Sequence, residues 1–437
     1  MTPPTSAALR DLFTDASYFL SPANPAATAD QRDVETRALE LIDHPALVSA
    51  LDVARMRFDI LAGTDQPDEA RAGMDRRLRE WAFGHTVLAL NSDPDRPRIS
   101  SNLLGPPHTW FGHTVPGSRG PGTGENADCW YAMAPIDAHS RYELVGKVQS
   151  PPASDCPLYI AGTIAMVPNV AGLDWRDVHI NDDGIFAVTI DPNPADGRTN
   201  HLRTTVDANF LFFRDARWHW SERPNAYRIR RLDPPLRPPM TLEDQIALAA
   251  RYIVEDVPMM WFYRQSLGCL ATNTVTTPLN AGPFGGMPTQ ATARGRLELD
   301  DDEAYVLTLT SGGASYWILA SYDWWMMSDD FGTRTATLNN TQSKANADGT
   351  YTYVFSARDP GVHNWIDTVG RRHTFFVNRW QQLPRDAGRP LPLTSGQVVK
   401  LKDLERVLPP STPRVSAVDR AAQLAERAEL FACRYAV

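Results

Sequence analysis

One strand-loop-strand pattern is written twice in this chain, and that duplication limits the folds open to it more than any other feature. The first copy reads Asp183-Gly184, then Phe186-x-Val188-x-Ile190, Asn200-His201-Leu202-x-Thr204 and Phe210-x-Phe212-x-Arg214. The second reads Asp348-Gly349, then Tyr351-x-Tyr353-x-Phe355, Asn364-Trp365-Ile366-x-Thr368 and Phe375-x-Val377-x-Arg379. Each runs 31 residues from its Asp to its Arg. A similar strand precedes each, Tyr142-Glu143-Leu144-Val145 in one and Tyr305-Val306-Leu307-Thr308 in the other. Asp-Gly signals a tight turn, and alternating residue character is the period of a strand. Shared order, spacing and residue type predict two copies of one β-rich module, built as tandem β-sandwiches or jelly rolls.

Helical periodicity surrounds the copies, so the predicted class is α+β. The expected order is an N-terminal helical region over 1–100, a first β-sandwich module over 101–240 and a linking helix within 241–270. A second module over 271–390 and a linker with a C-terminal helix over 391–437 follow. Near the start, Leu78, Trp81, Ala82, His85 and Leu88 recur at spacings of three and four, one apolar stripe. Pro45 suits the first turn of a helix, where its missing N–H would be unpaired anyway. Thr241, ahead of Glu243 and Asp244, caps a helix expected to run to about Arg264. The last helix spans Ser416 to about Arg434.

At 437 residues the chain is too long for a single core, and its 43% hydrophobic and 22% charged content is ordinary for a globular protein. A net charge of −9 without any Lys/Arg block argues against bulk nucleic-acid binding. No basic segment followed by an apolar core opens the chain, so no signal peptide is expected. The longest apolar runs break well before the roughly 18 residues of a membrane helix, so no membrane partner is expected. Cys129, Cys156, Cys269 and Cys433 lie far apart without CxxC spacing, which predicts unpaired thiols and a cytoplasmic location.

The block from Asp348-Gly349 through Asp359-Pro360-Gly361-Val362-His363-Asn364-Trp365 to Arg379-Trp380 resembles the hallmark of the domain-of-unknown-function family numbered 1214. Upstream, Asn126-Ala127-Asp128-Cys129-Trp130-Tyr131 resembles the Asn-Pro-Asp-x-x-Tyr element that often opens the β region of such proteins, with Ala127 where proline is usual. Together the resemblance covers about residues 120–385. It implies a tandem β-sandwich architecture and supplies no settled reaction.

Residues shared by the copies belong first to the module's folding, and residues that differ are free to carry chemistry. Arg214 and Arg379 are shared. Alternation puts them on the face of Phe210, Phe212, Phe375 and Val377, taken as the core side, where a guanidinium needs a carboxylate or an anionic ligand. Asn200 and Asn364 are also shared and suit turn backbone, with Asn364 beside the ligand-contacting candidates. The copies differ where His363 precedes Asn364-Trp365 while His201 follows Asn200. A histidine beside a fixed amide and an indole is a candidate general base.

A glycine-rich segment at 105–131 carries His108 and His113 and reads as a mobile lid, without the Lys-Ser/Thr ending of a phosphate loop. His108 and His113 have no third ligand at metal spacing, so no metal site is expected. In Tyr322-Asp323-Trp324-Trp325-Met326-Met327, strand alternation would turn Asp323 and Trp325 toward a ligand. No Gly-x-Ser-x-Gly elbow, HExxH, EF-hand or dinucleotide fingerprint is present.

The expectation is a cofactor-independent enzyme doing proton-transfer chemistry on a small or sugar-like molecule: lyase, isomerase or hydrolase. His363 would be the base or acid, Arg379 would hold an anionic group, Asp128 or Tyr131 would be the partner, and Trp325 and Trp365 the platform. The other reading is a non-catalytic ligand-binding or assembly protein, possible as a homo-oligomer, that uses its aromatic surfaces.

Overall fold

The computed structural model describes residues 6–101, 103–119, 124–164, 168–280, 289–386 and 390–437. After a short helix α1 (Ser6–Asp11), the N-terminal region folds as α2 (Ala29–Leu41), α3 (Pro45–Ala62) and α4 (Asp68–Leu90). Their starts follow from local chemistry. The Thr28 side chain accepts from Gln31 N, and Pro45 opens α3 behind His44, whose ring accepts from Ala46 N. The stripe of Leu78, Trp81, Ala82, His85 and Leu88 is buried as its spacing predicts.

The linking segment is two helices where one was expected, α5 (Leu242–Glu255) and α6 (Val257–Gly268), meeting at Asp256. Pro258 has no N–H to give to Val254, and that carbonyl is taken instead by Arg57 of α3 at 2.8 Å. Trp81 Nε1 donates to Ile253 O at 2.9 Å, and buried His85 reaches Asp256 at 3.0 Å. The junction is thereby pinned to α3 and α4.

Among the described residues, the two four-stranded sheets of the first module are built from β1 (Cys129–Pro135), β2 (Tyr142–Lys147), β3 (Leu158–Ala161), β4 (Asn169–Leu173), β5 (Ile185–Asp191), β6 (His201–Arg203), β7 (Phe210–Ala216) and β8 (Ala226–Arg231). The second has the matching eight, β9 (Ala291–Glu298), β10 (Glu303–Leu309), β11 (Tyr316–Tyr322), β12 (Thr337–Asn339), β13 (Tyr351–Ser356), β14 (Trp365–Asp367), β15 (His373–Gln381) and β16 (Thr394–Lys400), and two short strands, Thr274–Val275 and Leu279–Asn280, pair with the outer edge of β9. The first module's sheets run β6-β5-β2-β8 and β1-β7-β3-β4, and the second's run β14-β13-β10-β16 and β9-β15-β11-β12. Apart from the two short strands added at the β9 edge, the two orders agree strand for strand. Each module even repeats one parallel pair, β5 with β6 and β13 with β14, among antiparallel neighbours.

The shared asparagines make the same bonds. Asn200 closes on both backbone groups of His179, and Asn364 on both of Lys344, each bond 2.8–2.9 Å. Thr394–Lys400 forms a strand although it falls in the region read as linker. It sits at a sheet edge and is largely polar, so it lacks the apolar rhythm that marks buried strands.

The face assignment of the repeated strands is reversed. Leu211 and Phe213 lie inside the first sandwich with Leu144 and Val188, while Phe210 and Phe212 lie on the opposite face with Tyr131 and Met133. In the second module Phe376 and Trp380 are inside, and Phe375 and Val377 face out. Those outer faces are covered by Leu88 of α4, Tyr252 of α5 and Leu267 of α6. Because helices bury the second face of each strand, both parities are apolar and alternation cannot tell inside from outside.

Close packing leaves a strong steric signature at Gly295 on β9. A Cβ there would stand 2.1 Å from the ring of Phe376 and 2.7 Å from Thr274 O. Gly295→Val is expected to lower stability by about 2–3 kcal/mol through overpacking. Equilibrium urea unfolding measures it, and an unchanged midpoint would refute the close approach.

Candidate functional site

The two modules meet at Asp128, which is fully buried just before β1. Its carboxylate accepts from Trp220 Nε1 at 2.6 Å, Tyr316 Oη at 2.6 Å and Asn339 Nδ2 at 2.8 Å. Trp220 belongs to the first module, Tyr316 and Asn339 to the second. Asn126 aligns the turn by accepting from Asp128 N at 2.8 Å, and its own N–H goes to Tyr131 Oη at 2.8 Å. Burial pushes the Tyr131 hydroxyl well above its ordinary range, so it stays a neutral hydrogen-bonding group. The Asn126-Ala127-Asp128 element, with Tyr131, is thus a joint between modules, and Asp128 has no open face from which to act as a base.

Across this joint lies the C-terminal helix α7 (Ala417–Ala432), begun by Ser416, whose side chain accepts from Asp419 N. Its buried residues are Arg420 and Arg427, and Arg434 follows just past its end. Spaced seven apart, the three share one face. Arg420 pairs with Asp359 at 2.9 Å and sits 5.3 Å over the Trp365 ring. Arg427 donates to Phe331 O and Thr337 O at 2.6 and 2.9 Å. Arg434 donates to Ala127 O, and Arg427 and Arg434 both stack on Trp220, 4.3 and 4.6 Å from its centroid. Burial pulls the two guanidinium groups down to about 10 and about 9. The sequence carried this signal as an arginine every seventh residue, a pattern that helix-stripe reasoning passes over because it seeks apolar residues.

Beneath α7 opens a groove of about 800 Å³. One wall is the first module's Trp218 to Ser221, another the second module's Thr335 to Lys344, and α7 supplies Asp419, Gln423 and Glu426. Half-exposed Trp218 lies flat on Tyr316, with centroids 4.9 Å apart and planes at 7°. The Trp218 carbonyl is tied to Asn339 Nδ2 at 2.8 Å and Thr341 Oγ1 at 2.7 Å. His363 reaches this groove. Its Nε2 approaches Gln342 O at 3.3 Å, and its backbone is held by Pro413 O at 2.9 Å. Burial, then Lys344, lowers its pKa, so the imidazole is neutral at neutral pH.

The other expected residues go elsewhere. Trp365 is packed on β14 with Nε1 on Ser356 O at 3.0 Å, under Arg420 rather than in the groove. Asp323 and Trp325 do not face a ligand, because β11 stops at Tyr322 and the chain turns, with Met326 at φ 59°. Asp323 caps Trp325 N and pairs with buried Arg77, and Trp325 donates to Ala70 O at 3.1 Å. Both therefore fasten the helical layer.

Arg214 and Arg379 are half-buried on the outer sheet faces, and among the described residues neither meets a carboxylate. Arg214 donates to Gln290 at 3.1 Å, and Arg379 to Tyr322 Oη at 2.9 Å and to Gly124 O. His201 bonds Thr189 and Asn193 O within its own module.

In the glycine-rich segment, His108–Trp110 pairs with His113–Val115, while Gly120 and Gly122 lie outside the described residues. His108 stacks on Tyr435 at 3.7 Å, and burial pulls its pKa down to about 4. His113 approaches the fully buried Glu35 at 3.3 Å, which also accepts from Trp110 Nε1 at 2.6 Å. Sequence reasoning missed Glu35, which reads as one more helix-surface acid. It also missed a sealed cluster in the first sandwich, where Asp215 accepts from Tyr227 Oη at 2.6 Å, Cys156 Sγ at 2.7 Å and Asn225 N.

Two outcomes follow. Asp128→Ala is expected to cost about 3–5 kcal/mol, because it leaves three buried donors, Trp220 Nε1, Tyr316 Oη and Asn339 Nδ2, without their acceptor; chemical denaturation reads this. Asp215 is raised by burial to about 6 in the folded state, against roughly 3.9 unfolded. The folded chain then binds more protons than the unfolded one between those values, so this group makes stability fall as pH rises from about 4 to 6. In Asp215→Asn that decline should flatten, as urea midpoints across the window would show.

Comparison with known proteins places this geometry in a family context. Residues 287–382 match the family described as Protein of unknown function (DUF1214), a stretch that runs through β9 to β15. No curated protein matches the chain. Among solved structures, an uncharacterised protein from Burkholderia cenocepacia is 22% identical with a TM-score of 0.68, over 84% of this chain and 99% of that one. That likeness concerns the fold. A Vibrio parahaemolyticus protein aligns at 13% identity and TM-score 0.38, over 63% of this chain and 90% of that one.

Proposed function

We infer that this protein, whose residues 287–382 match the family described as Protein of unknown function (DUF1214), binds a small polar or sugar-like molecule in the groove beneath α7. The observation that carries the reading is Trp218. Its indole is held flat on Tyr316 yet remains half-exposed on the wall of an 800 Å³ groove, a size that suits a small organic ligand. Around it stand hydrogen-bonding groups of both signs, including Lys344, Glu426, Gln423 and Ser343. An aromatic face rimmed by such groups is the arrangement that grips sugar rings.

Catalysis is the second reading, favoured by one observation: His363 opens on the same groove with a neutral imidazole. A bound molecule with an acidic C–H or a hydrolysable bond would find a proton acceptor there, without a cofactor. His363 leans on the Gln342 carbonyl rather than a carboxylate, and that bond raises its basicity less than burial and Lys344 lower it, so binding stands first. Unpaired thiols fit a cytoplasmic setting, which belongs to the same proposal.

Thermal-shift measurements against sugars and sugar acids test the reading. A true ligand stabilises by mass action, by about 2.7 kcal/mol at a hundred times its Kd. Trp218→Ala should lose that stabilisation. His363→Ala should keep binding, and would lose turnover if the second reading holds. A ligand that stabilises Trp218→Ala as strongly as the unmodified protein would remove the groove from consideration.

A further inference from the structure

Where Arg434 lies over Trp220, the last residues of the chain line a much smaller cavity than the groove. Its wall is formed by Asn24, Trp130, Arg217, Arg434 and Tyr435 among others, and it measures about 20 Å³. That is room for a single water or a monatomic ion, since a water needs about 10–15 Å³. We propose that this cavity is a binding site for a small inorganic anion of chloride size.

The donors and the charge both point that way. Arg217 and Arg434 are 5% and 9% exposed, and among the described residues neither is paired with a carboxylate. Arg434 spends Nη1 on Ala127 O, which leaves its Nε and Nη2 without an acceptor. Arg217 Nε and the indole N–H of Trp130 are likewise buried without an acceptor. All four N–H groups belong to residues that line the one cavity.

The nearby carboxylates are already committed. Asp128 accepts from Trp220, Tyr316 and Asn339, and Asp215 from Asn225, Tyr227 and Cys156. Buried polar donors are normally satisfied, and a buried guanidinium needs an opposite charge as well as an acceptor. Water would answer the hydrogen bonds but not the charge of two guanidinium groups lining one cavity. A tetrahedral oxyanion would answer the charge but exceeds the volume. A halide meets both demands.

Because Arg434 and Tyr435 follow α7 directly, an ion held here would also fasten the C-terminal end to the first module. Asn24 strengthens that seam, its amide donating to Arg434 O at 2.6 Å.

The test compares thermal unfolding of the full chain in sodium chloride and in sodium gluconate at equal ionic strength, gluconate being too large to enter. At about 200 mM salt the midpoint should stand about 2 °C higher in chloride. Trp130→Phe keeps the ring and removes one donor, so the difference should shrink. Arg217→Met should abolish it. Should Arg217→Met fail to fold, crystals of the unmodified protein soaked in bromide decide the matter by anomalous scattering. An anomalous peak within hydrogen-bond reach of Arg217 and Arg434 supports the proposal. Equal midpoints in the two salts, or water alone in the cavity, would overturn it.

Discussion

The carboxylate of Asp128 is the constraint on which the rest of this molecule is arranged. A buried charge is tolerated only when hydrogen bonds and opposite charge replace water, and here three donors from two different modules converge on it. The requirement fixes how the modules stand, because Tyr316 and Asn339 can reach Asp128 in one relative placement. It also explains why an acid invites arginines: Arg427 and Arg434 lie against Trp220, whose indole N–H is the first of those donors. Burial lowers both guanidinium groups to about 10 and about 9, which leaves them charged at neutral pH.

That joint makes α7 an unusual helix. Most amphipathic helices dock an apolar stripe, whereas the buried residues of α7 are arginines that donate to backbone carbonyls and stack on indoles. Carbonyls offer direction that apolar contacts lack, so the helix is held at a set height above the modules. The groove is the space left beneath it. Its walls come from Trp218 to Ser221, Thr335 to Lys344 and α7, all outside the span of either copy, and from His363, which lies within the second copy where the two differ.

Duplication and difference divide the molecule in a physically sensible way. The paired asparagines close equivalent turns, and the paired parallel strands repeat one topology. Where the copies diverge, His201 stays inside its own module while Trp365 turns under Arg420 of α7. Arg214 and Arg379 sit at equivalent places on outward faces, yet their partners differ. One donates to a glutamine and the other to a tyrosine and a main-chain carbonyl, because each outer face meets a different neighbour.

Local pattern by itself determined the class of the fold, the helical start, the strands around both Asp-Gly turns, the cap at Thr241 and the start of the last helix at Ser416, since those depend on hydrogen bonds and burial a few residues apart. It also singled out His363 as a residue outside the shared pattern, and folding sets that residue on the wall of the groove. Tertiary structure decided the rest. Only folding shows that Phe210 and Phe212 face helices instead of the sandwich interior, that Asp323 and Trp325 lie beyond the end of their strand, or that Asp128 is sealed. Each of these turns on what covers a surface from elsewhere in the chain. A local pattern records which residues share a face, whereas the partner that buries that face is chosen by contacts hundreds of residues apart, as between Asn126 and Tyr316 or Asn24 and Arg434.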